Sequence, residues 1–99
     1  GSGYHPPLMS ERTELIARLE SAHAFPGPYT FRIIGDNHPD FPTAVEKALS
    51  DFVIQESTRT LSKNGNHLSL NMKVIAPTPD AVLDAYEVLG GLELVRYVL

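Results

Sequence analysis

Ninety-nine residues make one domain's worth of chain, enough to bury roughly 60–65% of the unfolded surface in a single core and too short for a second domain. The balance of 42% hydrophobic and 20% charged residues is that of a globular protein. The net charge of −4 disfavours nucleic acid and anionic membranes, whose binding draws on basic residues displacing counterions. With no cysteine, disulfides, thiolate nucleophiles, iron–sulfur clusters and cysteine-ligated zinc are excluded.

No run approaches the roughly 18–20 apolar residues that cross a bilayer, and the start lacks the charged-then-apolar pattern of a secretion signal, so a cytoplasmic protein is expected. Residues 1–9 read as a tag remnant or disordered tail, with Met9 as the natural start. An N-terminal helix is expected over 10–24, and the main domain over 25–99. In that helix Ser10 can cap, Glu11 sits in the first turn, and Leu15, Ile16, Leu19 and Ala22 share one face. The prolines of 25-FPGP-28 end it and form a linker.

Residues 29-YTFRII-34 alternate. Tyr29, Phe31 and Ile33 fall on one side and Thr30, Arg32 and Ile34 on the other, as in a strand with one buried face. After 35-GDNHP-39 the period changes to that of a helix through Phe41, Ala44, Val45, Ala48, Leu49 and Phe52. Asn37 is placed to cap this helix, with Asp40 as the acid of a capping box. A weakly apolar strand near 54–62, rich in Thr and Ser, suits a sheet edge. The 63-KNGN-66 turn that follows predicts a tight hairpin with positive φ at both Asn and Gly. Leu68, Leu70, Met72 and Val74 then alternate with Ser69, Asn71, Lys73 and Ile75. Over 77–91 Thr78 can cap a helix, Pro79 opens it and Gly90 lies just past its end, with Ala81, Val82, Ala85, Tyr86 and Leu89 as the buried stripe. The last strand, 93–99, would turn Leu94, Arg96 and Val98 to the outer side.

Strand, helix, strand, strand, helix, strand is the order of an α+β, ferredoxin-like βαββαβ sandwich. It predicts a four-stranded antiparallel sheet ordered 4-1-3-2 with both helices on one face, plus the N-terminal helix. Its open face would carry Arg32, Lys73 and Arg96 on three neighbouring strands. Set among Ile34, Ile75, Leu94 and Val98, these cations make a candidate partner-binding surface. The turn residues Gly35, Asp36 and Asn37 form a candidate ligand-binding loop at a helix start. Asp36, His38 and Asp40 find no converging second cluster, because His5, His23 and His67 lie elsewhere, so no metal site is assigned. No catalytic residue or cofactor is assigned either: the acids are scattered and no nucleophile stands beside a base.

From 25-FPGPYTFRIIG-35 through 62-SKNGN-66 to 95-VRYVL-99 the chain resembles the YbeD-like family, small bacterial proteins of unassigned function. The family pattern falls on Phe25, Pro26, Pro28, Gly35, Ser62, Gly65, Asn66, Arg96 and Leu99, and the chain departs from it at His67, where an aromatic is expected. The resemblance implies a fold similar to ACT domains, which bind small molecules at strand-mediated interfaces. The expected function is a non-enzymatic regulatory or adaptor domain that acts by protein association. Its partner would be another protein, or a second copy met through the sheet face or an edge strand. One alternative is an ACT-like sensor of an amino acid or related metabolite. The other, an RNA-binding module, is disfavoured because Arg32 and Asn71 stand where such domains place stacking aromatics.

Overall fold

The computed structural model describes residues 9–99, in the order α1 (Met9–Ala22), β1 (Gly27–Asp36), α2 (Asp40–Ala48), β2 (Val53–Leu61), β3 (His67–Ala76), α3 (Pro79–Gly90) and β4 (Val95–Val98). The expected tail lies outside the described residues except for Met9, which already belongs to α1. The strands form one antiparallel sheet, β2-β3-β1-β4, the predicted order read from its other edge. Among the described residues no helix is long and apolar enough to cross a membrane.

Alternation on the two central strands decides where the core lies. Phe31 and Ile33 of β1 join Leu68, Leu70, Met72, Val74 and Ala76 of β3 beneath Phe41, Val45 and Leu49 from the α2 region and Val82, Ala85 and Leu89 of α3. Both helices therefore cover the same face. No polar or charged residue is buried among the described residues. The Thr78 hydroxyl accepts from the Ala81 N–H and Pro79 opens α3, so a donor-poor first turn loses nothing to the proline. Gly90 is the last helical residue and Gly91 the cap, one position later than the sequence suggested. α1 joins the helical layer by packing on α3: Arg12 donates to Asp84 at 2.7 Å and reaches Asp80 at 3.4 Å, while Leu19 rests on the core.

β2 is the exposed edge. All nine of its residues are exposed, including Ile54 and Leu61, which pair with Val74 and Leu68 and so face the helical side; neither helix reaches over them.

Three expectations need correction. At β4 the register shifts: Ile33 pairs with Val98 and Ile34 with Tyr97, yet Gly35 pairs with Val95. The extra residue is a bulge, which breaks the simple alternation. Val98 thus packs against the core instead of facing outward, and Tyr97, 65% exposed, takes the outer position opposite Ile34; Leu94, just before the strand, also packs against the core. Asn37 does not cap α2. The N-cap is Pro39, two residues further on and without a side-chain cap; the His38 ring accepts the Asp40 N–H at 3.0 Å, and the Asn37 side chain is taken up by the Gly65 carbonyl instead. The 62–67 connection is wider than an Asn-Gly two-residue turn: only Gly65 has positive φ, at 76°.

Phe31 is fully buried and meets Tyr29, Phe52 and Tyr86 edge-on at centroid distances of 5.0, 5.9 and 5.1 Å. Removing so large a ring from a closed site leaves a cavity. Phe31→Ala is expected to cost about 3–5 kcal/mol in urea unfolding, against a change within about 0.5 kcal/mol for Thr58→Ala on the exposed edge strand.

Candidate functional site on the open face of the sheet

The ladder between β1 and β3 turns every second residue away from the helices. Arg32 lies opposite Asn71 and Thr30 opposite Lys73, so the two cations stand diagonally on neighbouring strands, about 7–8 Å apart at the backbone. Both are exposed, and Ile34 and Ile75 lie half-buried beside them. With α1 packed on α3 at the other side, this face is open among the described residues. Glu56 of β2 stands across from Lys73 on its remaining flank, a neighbour the sequence reading did not place.

Arg96 is engaged differently. Its guanidinium donates to both carboxylate oxygens of Asp36, at 2.9 and 3.2 Å, a two-pronged pair at the rim of the face. The Arg96 hydrogen bond holds the Asp36 carboxyl below the usual carboxylate range; partial burial opposes the shift, while the charge of Arg96 and, when protonated, of His67 and His38 reinforces it. Of the three cations grouped as one band, two share the middle of the face and the third is bound to an acid.

The candidate ligand loop is likewise tied into the fold. A Cβ on Gly35 would lie 2.5 Å from both the Leu94 carbonyl oxygen and the Phe41 ring, so only glycine lets β1, β4 and α2 meet there. Asn37 donates from its side chain to the Gly65 carbonyl at 2.8 Å, and its backbone N–H to the Asn66 carbonyl at 3.1 Å. The Asn64 carboxamide oxygen in turn accepts from Ser62 and from the Asn66 N–H, and the Ser62 oxygen accepts the His67 N–H. Gly35, Asp36 and Asn37 thus connect the end of β1 to the β2–β3 connection and to β4.

A shallow depression of about 180 Å³ opens beside Arg32, bordered by Ile34, Thr60, His67 and Ser69. The Ser69 hydroxyl is buried there without a hydrogen-bond partner. A buried hydroxyl left unpaired is costly. Alternation marked Ser69 as outward, but only the neighbouring strands show that its hydroxyl is enclosed next to a guanidinium. Among the described residues no group of three or more metal-ligating side chains converges.

Residues 20–99 match the family described as protein of unknown function, DUF493, and the chain belongs to that family. It is 33% identical over 90 residues to the UPF0250 protein YE3006 of Yersinia enterocolitica and 30% identical over 90 residues to the UPF0250 protein YbeD of Escherichia coli. In both cases the match covers 89% of this chain and 99% of the relative. Among solved structures it is similar to the ACT domain from the GTP pyrophosphokinase of Chlorobium tepidum, with a TM-score of 0.62 and 18% identity over 73% of this chain and 94% of that one. That likeness is one of fold and bears out the ferredoxin-like reading.

Because the folded Asp36 carboxyl titrates below its unfolded value of about 3.9, the Arg96 pair stabilises the fold above that value and is lost as pH falls through the folded one. Asp36→Asn is therefore expected to lower the melting temperature at neutral pH, with the gap to wild type closing below about pH 4 in thermal melts.

Proposed function

We propose that this member of the DUF493 family is a non-enzymatic adaptor or regulatory domain that works by association, seating an acidic segment of a protein partner on the open face of its sheet. The observation that carries the reading is the pair of exposed cations on neighbouring strands, Arg32 beside the depression and Lys73 one diagonal away. An incoming carboxylate would accept from the Arg32 guanidinium, with the Lys73 ammonium within reach of a second one. Ile34, Ile75 and the exposed Tyr97 add an apolar and aromatic border of the kind that gives protein interfaces their binding energy. The mechanism is occupancy: a bound partner biases which assembly the domain joins.

The β2 edge supports a second mode. Its nine exposed residues, with Val53 at 69% exposure, leave a row of backbone groups that β2 of another copy could extend. A strictly monomeric mass by light scattering at high concentration would remove that mode.

Charge reversal tests the first. Arg32→Glu with Lys73→Glu is expected to abolish, or weaken at least tenfold, capture of the partner that the wild-type protein retains, with the melting temperature unchanged because both side chains are exposed. A partner held equally well by the doubly reversed protein would overturn the assignment.

A further inference from the structure

The N-terminal helix does not close completely over the domain. A cleft of about 480 Å³ lies between α1, α3 and the end of β4, walled by Leu15, Leu19, Leu83 and Val98, with Arg18 at its border. Its floor is Tyr29 and Tyr86, whose hydroxyls share a hydrogen bond of 2.8 Å. A second cavity of about 380 Å³ continues from it across the same two tyrosines and Leu99, and there His23 and Lys73 join the lining. No aspartate or glutamate is among the described residues lining either space, although the protein as a whole carries an excess of acids. Neither Arg18 nor Lys73 takes part in an ion pair among the described residues.

We infer that this cleft binds a small aromatic carboxylate, its ring against the Tyr29–Tyr86 floor and its carboxylate toward Arg18. The apolar walls supply burial for a hydrocarbon body, and the volume lies within the range of small-molecule sites. An aromatic body is favoured by the edge-on rings already assembled there, His23 on Tyr29 at 4.9 Å and Tyr29 on Tyr86 at 6.3 Å, which an added ring would extend. The cationic border selects an anion. The Arg18 end of the site is separate from the sheet-face reading, since Arg18, Leu15 and Leu83 have no part in that face, whereas Lys73 borders both.

Two probes that differ at one group test this: 3-phenylpropionate and its neutral amide, titrated into isotopically labelled protein with backbone amide shifts as the readout. Saturable shifts from 3-phenylpropionate are expected in residues 15–22, 83–86 and 98, with the amide at least tenfold weaker. Arg18→Gln is expected to weaken 3-phenylpropionate about tenfold and to leave the amide unchanged, with a wild-type spectrum elsewhere. The inference is overturned by any of three results: no saturable shift in those segments, equal binding of the amide, or an Arg18→Gln protein that binds both probes as wild type does.

Discussion

The ten-pair antiparallel ladder from Gly27 opposite Ala76 to Asp36 opposite His67 is the constraint on which the other features depend. Because side chains alternate with a period of two, this one register decides both faces of the sheet at once. It sends Phe31, Ile33, Leu70, Met72 and Val74 beneath the helices and leaves Arg32 and Lys73 in the open. A slip of one residue would exchange these sets, burying guanidinium and ammonium groups in a core that holds no polar residue among those described. The candidate surface and the core are therefore two consequences of one pairing.

Charge on the open side is divided by engagement rather than spread as a band. Arg96 is held by Asp36, Lys73 has Glu56 across from it, and Arg32 stands beside an enclosed hydroxyl. An exposed ion pair contributes little to stability, so the Asp36–Arg96 pair matters more for geometry: it joins the last residue of β1 to the bulged strand next to it. Tyr29 and Tyr86 play a double part on the other side. Their rings close one end of the core around Phe31, and their hydroxyls floor the cleft under α1.

The stretches that carry the family resemblance have physical reasons. Gly35 lies where a Cβ would collide with Leu94 and Phe41, and Gly65 takes a positive φ. Ser62, Asn64 and Asn66 shape their own connection by side-chain and backbone hydrogen bonds, and Asn37 fastens it to the end of β1. These are demands of architecture, which is why the motif identifies the fold without naming a chemistry.

Much of the fold was legible from periodicity, since a strand's faces and a helix's stripe are local properties. The alternation of 29–34 and 67–75, the Thr78-Pro79 helix start and the polar edge at β2 were all readable, and the order of elements they gave implied the ferredoxin-like arrangement with its usual strand order. Other features were decided only when distant segments met. The bulge at β4 exchanged Val98 for Tyr97 on the open face, Asn37 found Gly65 rather than a helix end, and Arg96 found Asp36. The enclosure of the Ser69 hydroxyl and the cleft beneath α1 belong to the same class. The deciding hydrogen bonds join residues 28 and 60 positions apart. Spacing along the chain states which side of its own element a residue occupies, whereas its partner depends on how neighbouring elements are offset, and that offset exists only in three dimensions.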